Sequence, residues 1–392
     1  MATATTPSTL GEVEFSVVMP CLNEAETVAI CVRKARQALA RLGILGEVLV
    51  ADNGSTDGSQ KLSEDAGARV VAVTVRGYGS ALQAGFEAAR GRYIIMADSD
   101  DSYDFSAIDP FIEHLRAGYD LVMGSRFKGG ISSGAMPWHH RWIGNPVLTG
   151  ILNILFRAGI SDAHCGLRGF SKAAFLRMEL RTTGMEFASD MVIKAAKRRM
   201  RIGEVPIVLH PAGRTRPPHL RSFRDGWRHL RFMLIYSPTY LYSIPGWAAL
   251  FCGVSLMAFL GSGPRWIGTV MLDYHLLTVA CSLAVLGFQT LAVGRFAKLY
   301  AVLEGFETES PPDWFSRFFT VERGILLGGL FFLAGLGFDG WLLGRYLQHG
   351  FTLPDVIRQA LLASTLMLVG AQMVSASFFV GMLQLSRRRP TL

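Results

Sequence analysis

The stretch Tyr93-Ile94-Ile95-Met96-Ala97-Asp98-Ser99-Asp100-Asp101-Ser102-Tyr103-Asp104-Phe105 joins a short apolar run to a cluster of carboxylates. A run of this length and composition reads as a buried parallel strand. Carboxylates at the carboxyl end of such a strand fall in the crevice where open α/β sheets bind ligands. Asp98 and Asp100 stand two residues apart, which in extended geometry turns both to one side. Paired there, they repel each other unless a cation is present. Mg²⁺ or Mn²⁺, hard ions with oxygen ligands, meet that need and bring a phosphate with them. A solvated acidic turn is the alternative reading, and the flanking sequence decides between the two.

Upstream, strands and helices alternate. Phe15-Ser16-Val17-Val18-Met19-Pro20 reads as a first strand, followed by a loop at Cys21-Leu22-Asn23-Glu24 and a helix from about Glu26 to Leu42. Asn23 or Glu24 can cap that helix. Glu47 to Ala51 reads as a second strand and opens into Asp52-Asn53-Gly54-Ser55-Thr56-Asp57-Gly58-Ser59, which is turn chemistry leading into a helix. Arg69 to Val75 reads as a third strand, followed by Arg76-Gly77-Tyr78-Gly79-Ser80 and a helix through Ala89. This alternation predicts an α/β fold with a mostly parallel sheet flanked by helices. A dehydrogenase-type dinucleotide site does not fit. Leu82 stands where the third glycine of G-x-G-x-x-G belongs, and the motif follows the third strand rather than the first.

The four segments Val17 to Glu24, Asp52 to Ser59, Gly77-Tyr78-Gly79 and Asp98-Ser99-Asp100 resemble family-2 glycosyltransferases of the GT-A fold in residues, order and spacing. Gly124-Ser125-Arg126, Asp162 to Phe170, Gly184-Met185-Glu186-Phe187 and Glu204-Val205-Pro206-Ile207 resemble the polyprenyl-phosphate, dolichol-phosphate-type hexosyltransferases. The resemblance spans about residues 14 to 235. It implies that Pro20, Asn23, Glu24 and Asp52 line the nucleotide, with Gly79 and Ser99 in the same nucleotide-sugar site. It implies that Asp98 and Asp100 frame the metal, and that Arg126 and Arg168 hold a phosphate. Asp162 falls near the acceptor, as an orienting group or a base. A helix-capping turn is the structural alternative for Asp52, and the two roles can hold together; a surface ion pair is the alternative for the arginines. After Ile207 the chain departs from the family pattern. Arg214 and Arg216 keep positive charge, but His219 stands near the usual lysine. On this reading Arg214 and His219 join Arg126 and Arg168 at the acceptor phosphate, and His219 makes that grip sensitive to pH near 6.5.

The chain has 392 residues and a formal charge of +8, and its two halves differ. Residues up to about 230 have the charge and glycine content of a soluble enzyme, whereas apolar runs dominate from about 244. The five cysteines are scattered and form no C-x-x-C pair, which argues against a disulfide framework or a zinc site. No basic groove interleaved with aromatics points to nucleic acid. Met1 to Glu12 contain no apolar core of a signal peptide, so the first domain is expected in the cytosol. Arg221, Arg224, Arg228 and Arg231 recur at helical spacing, with Phe223, Trp227, Leu230 and Leu234 on another face. This pattern predicts a basic helix lying on an anionic membrane surface and joining the two halves. Four apolar stretches follow, at about Ile244–Leu260, His275–Val293, Gly324–Leu343 and Ala360–Leu385, each near the length of a span. Positive charge before the first, between the second and third and after the fourth puts both termini in the cytoplasm; the expected location is the plasma (inner) membrane.

The expected organisation is an N-terminal tail (1–13), a cytosolic GT-A catalytic domain (14–220), an interfacial helix region (221–240) and an all-α membrane domain (241–392). The expected activity is inverting transfer of a hexose from a nucleotide-diphosphate sugar, of the GDP-mannose or UDP-glucose type, to a polyprenyl phosphate. A processive polysaccharide synthase is disfavoured. Its Q-x-x-R-W signature is absent, because Trp138 and Ser262 precede the two Arg-Trp pairs where glutamine belongs. The other rival, an inactive sugar-nucleotide-binding membrane protein, is disfavoured by the intact carboxylate and arginine set. A homo-oligomer is compatible with the sequence but not required by it.

Overall fold

The computed structural model describes residues 13–216, 222–303, 320–349 and 356–386. The chain divides after Met233 into two compact units.

The first unit is built on an eight-stranded sheet: β1 (Phe15–Cys21), β2 (Gly46–Asp52), β3 (Arg69–Ala72), β4 (Tyr93–Met96), β5 (Leu121–Ser125), β6 (Gly130–Ile131), β7 (Arg168–Ser171) and β8 (Ile202–Leu209). Their spatial order is β3-β2-β1-β4-β7-β5-β8-β6. The strands are parallel except β7, which runs antiparallel to both neighbours, β4 and β5. Every residue of β1 is buried, as expected of a strand covered on both faces. On one face Phe15, Val17, Met19 and Cys21 pack with Val28, Cys31, Val32 and Ala35 of the Val28–Arg41 helix. On the other lies the Tyr78–Ala88 helix, where a Cβ at Gly85 would come within 2.5 Å of Val18 Cγ1. Glycine lets this helix press onto the strand. Phe86 then anchors an aromatic cluster, with Phe170 and Phe175 edge-on at 4.8 and 5.4 Å.

The strand order reverses between β1 and β4. β2 and β3 extend the sheet to one side of β1, and β4 pairs with its other edge. Open α/β sheets place their ligand crevice outside the carboxyl ends of the strands at such a reversal. Pro20 and Cys21 end β1 there, and Asp98 to Asp100 follow β4.

Among its described residues the second unit contains four helices long and apolar enough to cross a membrane: Thr239–Gly261, Tyr274–Leu303, Val321–Gln348 and Val356–Gln384. They extend each expected span by several residues, because helix geometry continues into the flanking polar turns. The first two pack against each other through glycines, as do the last two. A Cβ at Gly253 would lie 2.5 Å from Ala284 N, and one at Gly287 2.4 Å from Leu250 N. In the other pair, a Cβ at Gly370 would lie 2.5 Å from Phe332 N. Lipid tails are as apolar as leucine, so close backbone approach of this kind is what holds spans together.

Replacing Gly287 with leucine should wedge the first pair apart and cost roughly 1–3 kcal/mol of overpacking strain. Gly329→Leu, whose added Cβ would meet nothing within 4 Å, should be close to neutral. Thermal unfolding of the two variants in detergent checks the difference.

Candidate active site

A cavity of about 830 Å³ opens at the β1/β4 reversal. Of the sequence-predicted residues, Pro20, Asn23, Glu24, Asp98, Ser99, Asp100 and Arg214 line it together. Ser99 carries the local architecture. Its hydroxyl donates to Pro20 O at 2.7 Å, and its carbonyl accepts from Thr27 Oγ1 at 2.7 Å. The loop after β4 is thereby stitched to the loop and helix after β1. Asn23 adopts a left-handed backbone (φ 57°). In that position its Oδ1 accepts from Thr56 N at 2.8 Å and its own N–H donates to Ser55 Oγ at 2.8 Å, which ties β1 to the turn after β2.

Three carboxylates, Glu24, Asp98 and Asp100, share this floor. Asp98 accepts from the Tyr78 hydroxyl at 3.0 Å. Burial, and then the neighbouring Asp100, push its carboxyl up to about 6. Burial also raises Glu24, against the pull of Arg214 and Arg216. Arg214 bridges two of the three, at 2.5 Å from Glu24 Oε1 and 3.1 Å from Asp100 Oδ2, while Arg216 also reaches Glu24 Oε1 at 2.5 Å. The Arg214 segment is fixed by Gly213 N donating to Asp100 O at 2.9 Å and Thr215 N donating to Glu26 Oε2 at 2.8 Å. Glu24 Oε2 is buried and has no hydrogen-bond partner among the described residues. Among the described residues no three His, Cys, Asp or Glu side chains converge into a ready-made metal cage. The donor chemistry here is nonetheless that of a hard divalent ion, which typically takes one or two carboxylates and completes its shell with substrate phosphate and water.

Other predicted residues lie elsewhere, for physical reasons. Asp52 is 1% exposed and does not line the cavity. Its carboxylate is consumed by the turn after β2, accepting from Gly54 N and Ser55 N at 3.1 Å and from Gln60 Nε2 at 2.6 Å. Gly79 is likewise absent from the wall. A Cβ there would meet Thr182 O at 2.4 Å, so this glycine serves the close approach of the 182–187 segment rather than a diphosphate. Asp162 is fully buried, and both its oxygens are taken by Arg126, from Nε at 2.6 Å and Nη2 at 2.7 Å. Burial works against the Arg126 charge, yet Tyr103 and Asp162 outweigh it and raise its pKa. Arg126 lines a separate pocket with Arg141 and Trp142. Arg168 begins β7, is 1% exposed, and donates to the carbonyls of Cys165, Ala188 and Ala163. His219 lies outside the described residues.

The structure also adds residues to the cavity wall. Arg76, Tyr78, Asn53, Thr183, Arg224 and Arg228 are among them. Arg224 and Arg228 belong to the Ser222–Ile235 helix, whose arginines the sequence reading assigned to a membrane surface. Their spacing was visible, but a single helix carries no record of what its basic face meets. Phe223 and Trp227 of the same helix are 92% and 59% exposed. On its inner side His229 accepts from or donates to Ser189 Oγ at 2.7 Å and packs edge-on to His164 at 4.6 Å. Burial depresses both imidazoles, His164 well below its ordinary range and His229 to about 4.

Residues 16–178 match the family model described as Glycosyl transferase family 2, and residues 295–384 match the Glycosyltransferase family 2 C-terminal transmembrane region. The low-salt glycan biosynthesis hexosyltransferase Agl6 of Haloferax volcanii is 38% identical over 370 residues, 94% of this chain and 89% of the relative. A dolichyl-phosphate hexose transferase of the same organism is 28% identical over 50% of this chain and 82% of its own. Among solved structures, glucosyl-3-phosphoglycerate synthase from Mycobacterium tuberculosis with Mn²⁺ and UDP-glucose superposes with a TM-score of 0.45 at 24% identity, covering 57% of this chain and 78% of that one.

Arg126→Met strands a buried carboxylate and should cost about 3–5 kcal/mol, whereas the paired change Arg126→Met with Asp162→Leu should recover much of that loss. Chemical denaturation of the two variants measures both effects. The histidine pair makes a second prediction. His229 binds a proton near 6.5 when unfolded but only near 4 when folded, so its contribution to stability is present above 6.5 and is lost as pH falls from 6.5 toward 4. His229→Asn should flatten that part of the profile of thermal midpoint against pH, relative to the parent chain.

Proposed function

The chain belongs to glycosyltransferase family 2, and we propose that it transfers a hexose from a nucleotide-diphosphate sugar to the phosphate of a polyprenyl lipid. The observation that carries this reading is the cavity at the strand-order reversal, where Glu24, Asp98 and Asp100 face Arg214 with Arg76, Arg224 and Arg228 on the wall. A diphosphate needs positive charge, and a cleft of mixed sign supplies it without repelling a partly polar sugar. The Agl6 and dolichyl-phosphate hexose transferase relatives support a hexose and a lipid phosphate. The four apolar helices make the chain a membrane protein. The positive-inside pattern supports a catalytic unit on the cytoplasmic face.

On this reading Pro20, Asn23 and the turn at Asn53, Gly54 and Thr56 hold the nucleoside, at the ends of β1 and β2. Asp98 and Asp100 would hold Mg²⁺ or Mn²⁺, which when bound neutralises charge on the leaving diphosphate. Tyr78 fixes the Asp98 carboxylate, and Ser102 fixes Asp100 through its N–H and hydroxyl. Arg214, already poised at the acidic floor, is available to the same developing charge. The lipid phosphate has a second pKa of about 6 and is therefore an anion near neutral pH. Its oxygen forms the new bond to the anomeric carbon as the bond to the nucleoside diphosphate breaks, which inverts that centre. Such a nucleophile needs no base, in keeping with an Asp162 that is committed to Arg126 on both oxygens. Catalysis then rests on positioning and charge.

Purified protein should release nucleoside diphosphate from GDP-mannose or UDP-glucose only when undecaprenyl or dolichyl phosphate is added. Asp100→Asn should lower the rate by about 100-fold or more with the thermal midpoint retained. Release that ignores the lipid, or an Asp100→Asn variant as active as the parent, overturns the assignment.

A further inference from the structure

The second unit has an open cavity of about 500 Å³ whose wall is almost wholly apolar. All four spans contribute, with Trp247 and Leu250 from the first, Phe288 from the second, Phe331 from the third and Val369 from the fourth. Its origin is physical. Glycines zip the first span to the second and the third to the fourth, so each pair is tight. The two pairs meet chiefly along the second and fourth spans, whereas the first and third scarcely touch. The gap left between the pairs is the cavity. It extends from Trp247 to Met257 along the first span, about 15 Å at the rise of an α-helix.

One charged side chain stands in this wall. Arg295 lines the cavity and has no hydrogen bond or ion pair among the described residues. Charge at the opposite end of the bundle is satisfied. Arg358 is 4% exposed and is paired with Asp273 Oδ1 at 2.5 Å. Asp273 and Arg295 are 22 positions apart, with helix from Tyr274 onward. That separation is about 33 Å along the axis, close to the roughly 30 Å thickness of a hydrocarbon core. If the Asp273–Arg358 pair marks one headgroup level, Arg295 stands at the other. The second span returns to the side on which the first begins, so Arg295 lies at the end of the bundle where the chain enters from Leu234.

We propose that this intramembrane groove holds the prenyl chain of a lipid phosphate, with Arg295 at the level of its anionic head. Charge complementarity selects the occupant: an apolar slot ending in a guanidinium with no partner among the described residues suits one long chain that ends in an anion. The volume is that of a single drug-sized ligand, which matches a stretch of one linear chain better than two acyl tails. The assignment rests on the transferase reading above and deepens it, because it places the hydrophobic part of the acceptor within the membrane unit.

The test uses the full-length protein in nanodiscs and undecaprenyl phosphate bearing a photoreactive group near the middle of its chain. Cross-linked peptides should come from residues 284–296 and 365–380. Val369→Trp, which fills the slot, should cut that labelling about 10-fold, and Ala292→Phe should do the same. Arg295→Gln should weaken half-saturation by the lipid phosphate about 10-fold while leaving labelling by the matching photoreactive undecaprenol unchanged, and Arg295→Lys should restore most of the loss. Asp100→Asn should label like the parent, which separates occupancy from turnover. Labelling without sugar transfer supports the groove and refutes the transferase reading. Transfer without labelling of these peptides refutes the groove alone. Competition by phosphatidylglycerol as effective as that by unlabelled undecaprenyl phosphate would show an ordinary bilayer cleft and overturn the proposal, as would an Arg295→Gln variant indistinguishable from the parent.

Discussion

Carboxylates crowded at the end of a sheet repel one another, and the first unit is arranged around containing that repulsion. Glu24, Asp98 and Asp100 come from the loops after β1 and β4 and face a common cavity. Their compensation comes from further along the chain, where Arg214 pairs with Glu24 and Asp100 and Arg216 pairs with Glu24. A buried charge left unpaired costs several kcal/mol, so the segment after β8 must reach the site if the loops are to hold their form. The cleft is therefore a product of the whole sheet, and its sign is balanced before any ligand arrives.

That balance also shapes how a ligand would enter. A diphosphate brings negative charge toward an acidic floor, which is tolerable only with arginines on the wall and a cation beside the carboxylates. Arg76, Arg224 and Arg228 stand on that wall. Glu24 Oε2, buried on this floor, has no hydrogen-bond partner among the described residues. Polar atoms left this way are costly in a static core but useful where a ligand completes them.

Much of this architecture was legible in the sequence, because strands buried on both faces announce themselves as apolar runs and D-x-D names its own geometry. The four spans were legible for the same reason, since length and hydropathy are local properties. What was not legible depends on partners distant in the chain. Nothing in Arg168-Gly169-Phe170-Ser171 says that it inserts antiparallel between β4 and β5, since a four-residue strand is too short to show a period. The arginines of the Ser222–Ile235 helix were visible as a basic face, but the acidic floor of the cavity they line comes from residues more than a hundred positions away. Asp52 illustrates a different ambiguity. The same Asp-Asn-Gly-Ser segment can form a turn, a ligand contact or both, and the hydrogen bonds from Gly54, Ser55 and Gln60 show the turn.

Arg126 and Asp162 show how a motif can support a cavity wall without reaching into the cavity. A guanidinium just past a strand suggests a phosphate ligand, because the residue type is visible and its partner is not. Folded, the pair is a buried bidentate clasp between the end of β5 and the loop before β7. That loop continues through Cys165 to Gly166, whose N–H donates to the Tyr103 hydroxyl at 2.8 Å. A Cβ at Gly166 would lie 2.7 Å from Asp98 Oδ2. The clasp therefore fixes the backbone that packs directly beneath the acidic floor, and only glycine leaves the Asp98 carboxylate room there. An ion pair of this kind is weak evidence for stability and better evidence for geometry. Here the geometry it sets is the depth at which Asp98 can meet a ligand.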